Sequence, residues 1–468
     1  MERIDEITIR GIQEMFHQKK ISVTELVAEY LKRISLYDQG VGKLNSIIEL
    51  NPEVHSIAKQ LEEHRLEYSS ELYGIPILLK DNIDTADAMH TSAGSLALAK
   101  SIAVADADIV KTLREKGAVI LGKTNMTEYA NYMTKGMKPG YSSRGGEVRS
   151  PYKKEGDPSG SSTGSAVAVS ANLCAASIGT DTSGSIVSPA KANGIVGFRP
   201  AIGSLSQKGI IPICFTLDTA GPMTRTVMDS VILYSELRNI HSRMNEIKIN
   251  EIKINEIKIK QVNIKEVVVG VDQVALENLS KEEEKKAATV IKELEKAGAT
   301  LKRIRIPHIS KNKLKEIQRY EFKYSINRYL EHLPKEMPIH SLKDIIEFNN
   351  INQDRTLKYG QTLLLDAEEN TKGDLSEIAY KKAMQDREET KKEVLNRLSN
   401  VDVCIQFQEN LILQYVGLPS MTIPLGLYNN GMPNGIFLTA QNDAALLKYA
   451  QIIEQLIGRR VPPKLSLN

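Results

Sequence analysis

The hydrophobic and polar positions of this chain change repeatedly between a helical and a strand period. Residues 22–36 (SVTELVAEYLKRISL) place apolar side chains at helical spacing after a Ser/Thr start, and residues 53–66 predict a second helix. The segment YGIPILLKDNID is instead a continuous apolar run that ends in polar residues, which is typical of a buried strand. A helix over 106–116 and a buried strand, AVILG after Gly117, follow.

The same alternation continues to the end of the chain and predicts an α/β architecture. The remaining predicted elements are a helix over 164–174, a strand over 175–179, a strand over 267–272, a helix over 280–297, strands over 300–306, 401–407 and 420–427, and a helix over 443–458. No linker rich in Pro, Gly and Ser divides the chain, so we expect one large domain over 1–468.

Two segments differ from this pattern. Residues 245–259 are three copies of NEIKI, and a period of five matches neither a helix nor a strand. We interpret 239–264 as a surface insertion that carries this repeat. The region 308–400 is charged and helical, and we expect it to cover or rim the core. The walls of any substrate pocket would come from this region and from loops such as 126–150.

The composition narrows the function without naming it. The chain has 468 residues, 41% of them hydrophobic and 25% charged, and a net charge of +3. Such a balance is typical of a globular protein and gives no electrostatic reason to expect nucleic acid or a membrane as a partner. The cysteines Cys174, Cys214 and Cys404 form no CxxC pair, so neither a disulfide framework nor a zinc site is indicated. With no signal-peptide pattern at the N-terminus, a cytoplasmic location is expected.

The most informative segment is 160–189, GSSTGSAVAVSANLCAASIGTDTSGSIVSP. Its apolar middle is suited to burial, whereas GTDTSGS offers turns, bare backbone amides and hydroxyls. We interpret it as a helix, a short strand and then a loop that points N–H groups into a cavity. A chain builds an oxyanion hole beside a serine nucleophile in this way.

Two familiar motifs are poor matches here. Residues 117–124 (GAVILGKT) fit a phosphate-loop pattern, but the four central residues are apolar and follow a helix, so they predict a strand. The GSSTG around Ser162 fits a nucleophile elbow, but KKEGDPS before it is not a strand. Such an elbow also needs a histidine base, and only His308 and His332 stay open for that role.

A lysine is the other candidate base. Burial can keep a lysine neutral, and Lys80 follows the apolar strand GIPILL, which would carry it into the interior. Its pKa would have to fall by about 3 units from about 10.4 to act near pH 7. The alternative is a solvent-exposed lysine at the end of a strand.

With Lys80, the serine-rich run and DTAGPMTR (218–225) in view, the chain resembles the amidase signature family. The resemblance covers about residues 60–235, and its motifs are GIPILLKDN, GKTNMTEYAN, SGSSTGSAVAVSANL, GTDTSGSIVSPA, GIVGFRP and DTAGPMTR. LPSMTIPLG and PNGIFLTAQ extend it toward the C-terminus. Within the family, YSSRGGEVRSPY and SGSSTGSAVAV are most similar to bacterial peptide amidases, which remove a C-terminal amide from peptides.

The resemblance implies a fold with a central mixed β-sheet covered by helices on both faces, and hydrolysis of a carboxylic or peptide amide to the acid and ammonia. It implies a Ser-cisSer-Lys triad in which Lys80 is the base, Ser161 is the bridging serine after a cis peptide bond, and Ser185 is the nucleophile that forms an acyl-enzyme. It implies no metal and no organic cofactor. The oxyanion hole would consist of the backbone amides of Thr182, Ser183, Gly184 and Ser185.

One departure from the family's pattern affects the expected substrate. Many members carry an arginine two residues after the nucleophile, where this chain has Val187. That arginine suits acidic substrates or the glutaminase subunits of tRNA amidotransferases, so a less charged small-molecule or peptide amide is expected here. A glutaminase subunit of this kind and a non-catalytic or nucleotide-binding protein are the alternatives. The natural amide and the oligomeric state are not determined by the sequence.

Overall fold

The strands of the computed structural model form one mixed sheet and a small ribbon. The structure describes residues 4–40, 42–65, 69–238, 263–277 and 279–465. Within these residues the sheet has 11 strands in the order β1-β3-β2-β6-β8-β7-β12-β13-β11-β9-β10, and β4 pairs with β5. The strands are β1 (Ile47–Leu50), β2 (Pro76–Lys80), β3 (Val119–Thr124), β4 (Tyr141–Ser142), β5 (Gly146–Glu147), β6 (Ala176–Asp181), β7 (Val196–Arg199), β8 (Thr219–Thr224), β9 (Val268–Asp272), β10 (Thr300–Ile304), β11 (Val403–Gln406), β12 (Ser420–Leu427) and β13 (Pro433–Thr439).

Fifteen α-helices lie in the same described residues and pack on this sheet and on one another. They are α1 (Ile9–His17), α2 (Val23–Tyr37), α3 (Val54–Glu63), α4 (Asp108–Glu115), α5 (Thr163–Ser170), α6 (Val187–Ala192), α7 (Val227–Arg238), α8 (Lys281–Ala297), α9 (Lys311–Leu330), α10 (Leu342–Ile351), α11 (Gln353–Thr356), α12 (Thr362–Asn370), α13 (Ile378–Leu398), α14 (Ile412–Val416) and α15 (Asp443–Ile457). The prediction of a single domain with a central mixed sheet covered by helices is confirmed.

The middle of the sheet brings the ends of two strands together. β2 pairs in parallel with β6, with Leu79 opposite Ile178, so both strands finish at the same edge. All five residues of β2 are buried, including Lys80 at its end. Because the strand is apolar up to that position, it carries the lysine into the interior beside the end of β6.

Helix α5 packs unusually close to its neighbours. Each of its eight residues is buried, and they are small or β-branched. A Cβ added at Gly164 would lie 2.2 Å from the Ser46 carbonyl oxygen and 2.3 Å from that of Asn125. Glycine is therefore required there, and the close approach fixes the start of α5 and the GSS residues before it.

Most of the predicted helix and strand boundaries lie close to the observed ones, but those near the serine-rich run need correction. The predicted helix 164–174 ends at Ser170, because the chain turns through Asn172 at φ +56. The strand predicted over 175–179 continues to Asp181, and α6 begins at Val187, so the loop is shorter than expected. The strands β1, β7, β8 and β13 and the helices α1, α7 and α14 were missed. Pro and Gly within β8 and β13 hide the strand pattern.

Two apolar clusters hold the fold together. One surrounds the sheet, and the other joins the helices of 308–400 to the loops that carry Tyr129 and Ile213. The bounds that we assigned to the signature core, the insertion and the cover region stay predictions. The repeat at 245–259 lies outside the described residues.

Candidate active site

Lys80 is fully buried and donates hydrogen bonds to three oxygens. Its Nζ lies 2.8 Å from Ser161 Oγ, 2.9 Å from Thr180 Oγ1 and 3.1 Å from the Thr180 carbonyl oxygen. Each of these acceptors is uncharged, so the lysine has no direct ion-pair partner among the described residues. Uncharged acceptors permit Lys80 to exist as a neutral amine as well as an ammonium ion.

The pKa of Lys80 follows from this environment. Burial lowers it from 10.5 to about 7, against the opposing charges of Asp181 and Asp218, which favour the ammonium form. The uncharged amine is therefore accessible to Lys80 near neutral pH. The exposed strand-end lysine considered from the sequence is excluded.

Ser161 lies between the lysine and the serine-rich loop. The peptide bond Gly160–Ser161 is cis, as the resemblance implied for this position. The Ser161 carbonyl oxygen accepts the amide of Thr127 at 3.1 Å, and the next amide, that of Ser162, donates to the carbonyl oxygen of Ser185 at 3.2 Å. This second bond holds the GSS element against the loop that carries Ser185.

The loop from β6 to α6 is organised by one buried carboxylate. Asp181 accepts the amides of Gly184 at 2.9 Å and Ile186 at 2.7 Å, and thus folds the chain around Ser185. Arg199 pairs with Asp181 at 3.2 Å, and both side chains are fully buried. These bonds fix the turn that carries Ser185, and 7% of the surface of Ser185 stays exposed.

The backbone amides around Ser185 are not equivalent. The Gly184 amide is already bound to Asp181. The amides of Thr182, Ser183 and Ser185 donate no hydrogen bond to any described residue. Of the four amides expected in the oxyanion hole, these three are the ones open to a ligand in this conformation.

The wall of the site includes a second carboxyl, which is half-buried. Asp218 accepts the Thr182 hydroxyl at 2.6 Å and the amides of Ile213 and Cys214 at 2.8 and 2.9 Å. Burial raises its pKa to about 6. It therefore orients Thr182 beside the loop that carries Ser185. Its negative charge also favours the ammonium form of Lys80.

A small cavity of about 40 Å³ opens beside these groups. Its lining includes Asn82, Thr180, Thr182, Asp218 and Ala130. Ala130 belongs to the loop 126–150 that we expected to form pocket walls, and Tyr129, Ala130 and Asn131 all have positive φ between 46 and 76. Three successive non-glycine residues with positive φ are uncommon. Residues in this strained backbone conformation concentrate at functional sites.

The structure excludes a phosphate loop at 117–124 and a nucleophile elbow at Ser162. The segment 117–124 is mostly strand β3, and a Cβ at Gly122 would lie 2.3 Å from the Glu49 carbonyl oxygen, so no phosphate could be cradled there. The Ser162 hydroxyl donates to the Thr180 carbonyl oxygen at 3.0 Å and accepts the Thr180 amide. It is a structural clamp on β6, and no histidine bonds to it within the described residues.

The sequence and the family resemblance assigned Lys80, Ser161 and Ser185 to the site, but not the residues that position them. Asp181 stood inside GTDTSGS and Arg199 inside GIVGFRP, and neither was assigned a role. The available signal was a charged residue within an apolar strand pattern, because a buried charge requires a partner. Of the groups open as bases, His332 Nδ1 contacts the Arg328 carbonyl oxygen instead of a serine.

Neither a metal-binding cluster nor a membrane-crossing helix is present among the described residues. They contain no cluster of three His, Cys, Asp or Glu side chains arranged to hold a metal ion. No helix among them is long and apolar enough to cross a membrane. The cytoplasmic location stays a prediction.

Known proteins resemble this chain over nearly its whole length. The profile of the Amidase family matches residues 25–407. A protein of Arabidopsis thaliana named as a probable amidase is 34% identical over 480 residues, which cover 98% of this chain and 92% of the relative. The crystal structure of native peptide amidase from Stenotrophomonas maltophilia has a TM-score of 0.91 and 32% identity, with 98% of this chain and 99% of the other covered.

A further solved structure, an amidase family protein from Bacillus anthracis, has a TM-score of 0.87 and 35% identity and covers 99% of this chain and 93% of its own. The family profile spans most of the chain, and the sheet with its buried lysine and serine loop agrees in fold with these enzymes. The chain belongs to the amidase signature family and is an amide-hydrolysing enzyme.

Proposed function

We propose that this enzyme hydrolyses a carboxylic or peptide amide to the acid and ammonia through Lys80, Ser161 and Ser185. The observation that carries the proposal is the contact of 2.8 Å between Lys80 Nζ and Ser161 Oγ, inside a site where burial lowers the pKa of the lysine to about 7. A base whose pKa lies near the operating pH is the one that transfers protons most effectively.

The first half of the reaction forms an acyl-enzyme. Neutral Lys80 takes the proton of Ser161, which takes the proton of Ser185 as its Oγ bonds to the amide carbon. The carbonyl π electrons move to oxygen, where the amides of Thr182, Ser183 and Ser185 stabilise the negative charge. When the C–O double bond re-forms, the C–N bond breaks, and the relay returns its proton to the nitrogen, which leaves as ammonia.

The second half releases the acid. Water gives a proton to the same relay and attacks the ester carbon, and the ester bond to Ser185 breaks as its Oγ recovers a proton. Asp181 contributes by holding the loop, and its negative charge favours the ammonium form of Lys80 that exists between the two proton transfers. The peptide amidase neighbour supports a peptide amide as one member of the substrate class.

The test combines ammonia release with covalent labelling. Ser185→Ala should abolish turnover, Lys80→Ala should remove nearly all of it, and Ser161→Ala should leave a small remainder because water can partly replace the bridge. Ser183→Ala is the matched control, since its side chain is exposed beside the nucleophile and only its backbone is assigned a role.

A serine-reactive fluorophosphonate provides a readout that needs no substrate. It should label the wild-type protein and Ser183→Ala at Ser185, and leave Ser185→Ala unlabelled. Labelling of another serine, or full turnover by Lys80→Ala at pH 7, would show that the assigned nucleophile or base is wrong.

A further inference from the structure

A second, larger cavity adjoins the small one at the candidate active site. Its volume is about 660 Å³, and it shares Gln207, Ile210 and Pro212 with the small cavity. A volume of 40 Å³ holds little more than one or two water molecules, whereas ligand sites usually measure about 300–1,000 Å³. The small cavity therefore cannot hold the acyl group of a substrate, which needs another space.

The walls of the larger cavity are largely apolar and in part exposed. Val104 is 75% exposed and Phe215 is 41% exposed, and both line it. Helix α9 supplies Tyr324, which packs against Phe215 with ring centroids 6.0 Å apart. Large apolar side chains that stay exposed around a concavity indicate a ligand surface.

Positive charges outnumber negative ones among the side chains of this cavity that form no ion pair. Asp106 pairs with Arg114 at 3.1 Å, whereas Asp84 accepts the Tyr329 hydroxyl at 2.7 Å and has no ion pair within the described residues. Arg328 lies over the ring of Tyr324 at 5.2 Å, and neither it nor Lys208 forms an ion pair within the described part of the chain. An anion is the charged group that such a wall favours.

We infer that this cavity binds the acyl part of the amide substrate, and that the preferred acyl group is an elongated apolar chain or ring that ends in a carboxylate near Arg328, in contrast to the less charged substrate expected from Val187. The inference rests on the proposed function, since it places the scissile amide at Ser185. It adds the chemistry of the remainder of the substrate, with the apolar body against Phe215 and Tyr324.

Four amides test the inference by ammonia release: propionamide, 4-phenylbutyramide, and its para-carboxylate and para-aminomethyl derivatives. Burial of the phenyl group should raise kcat/KM roughly tenfold or more over propionamide. The carboxylate should exceed the neutral compound, and the aminomethyl compound should fall below it. Equal values for all four would overturn the inference.

Two variants connect these preferences to residues. Phe215→Ala should reduce the ratio of kcat/KM for 4-phenylbutyramide over propionamide to less than about threefold, because it removes much of the apolar contact. Arg328→Gln should remove the advantage of the carboxylate over the neutral compound. Ile351→Ala is the control, because this side chain is 82% exposed and outside the cavity lining, and it should leave both ratios unchanged. Unchanged ratios in Phe215→Ala and Arg328→Gln would refute the assignment.

A binding measurement separates failure of this inference from failure of the proposed function. Titration calorimetry of Ser185→Ala with 4-phenylbutyrate and with propionate needs no turnover. If amides are hydrolysed in a Ser185-dependent way but 4-phenylbutyrate binds no better than propionate, the cavity assignment alone is wrong. If 4-phenylbutyrate binds and binding weakens in the Phe215→Ala background, yet no amide is hydrolysed, the proposed function is wrong and the apolar ligand site stands.

Discussion

Replacement of Lys80 by methionine should make the folded protein more stable at neutral pH. Methionine has a similar length, carries no charge and suits a buried position. In the native chain, burial lowers the pKa of this amine from 10.5 to about 7. Folding therefore forces a group that is charged in the unfolded chain to lose its proton or to stay charged in a buried site, and either event costs free energy.

The sign and size follow from the two pKa values. Between pH 7 and 10.5 the unfolded chain binds more protons than the folded one, so the contribution of Lys80 to stability becomes more favourable as the pH rises. Each unit of pKa shift corresponds to about 1.4 kcal/mol, so the lysine costs about 4 to 5 kcal/mol near pH 7. By pH 9 about 2 kcal/mol of this cost is recovered. Lost hydrogen bonds to Ser161 and Thr180 offset part of the gain in the variant, by about 1 kcal/mol each.

Chemical denaturation at pH 7 and pH 9 measures this effect. The chain has no tryptophan, so far-UV circular dichroism and tyrosine fluorescence are the probes, and coincident transitions permit a two-state treatment. The free energy of unfolding of the wild type minus that of Lys80→Met should rise by about 2 kcal/mol between the two pH values. Other titrating groups are common to both proteins and largely cancel in this difference.

A pH-independent difference would refute the reasoning. It would mean that Lys80 keeps an ordinary pKa in the folded protein and stays charged at neutral pH. Such a lysine could not accept the proton of Ser161, and the proposed mechanism would lose its base. The measurement thus tests the catalytic argument without a substrate.

Three further outcomes follow from the same site. Where chemistry limits the rate, kcat should rise with pH to a plateau and be half-maximal near pH 7, because the pKa of Lys80 is about 7 and its neutral form is active. A pH–rate profile that stays flat from pH 5 to 9 would contradict this. Gly184→Ala should lose turnover and more stability than Gly203→Ala, because both glycines have positive φ but only the Cβ at position 184 would clash, at 1.9 Å from a carboxylate oxygen; equal thermal melts and rates would count against the argument. Asp181→Asn should destabilise the fold by about 3–5 kcal/mol, since it leaves Arg199 buried without an ionised partner, whereas the double variant with Arg199→Met should recover part of that loss in denaturation experiments.

Much of the fold was predictable because its signals are local. β12 has the predicted bounds, Ser420–Leu427, and helix α8 runs from the capping box of Ser280 to the left-handed Gly298, close to the predicted 280–297. In both elements the pattern of side chains and the end signals lie within a few residues of one another. β8 and β13 were missed because Pro and Gly interrupt their strand pattern, although β13 pairs with the neighbouring β12 and β8 pairs with the more distant β6.

The sequence by itself determined the alternation of helices and strands, the apolar strand that leads to Lys80, and the loop of small and hydroxyl residues around Ser185. The tertiary structure decided which groups meet: the parallel pairing of β2 with β6 places Lys80 beside Ser161 and Thr180, across 81 and 100 positions of the chain. It also decided the charge of the lysine, because a pKa depends on burial and on distant carboxylates. These quantities arise only when separate segments exclude water together, and no local pattern encodes them.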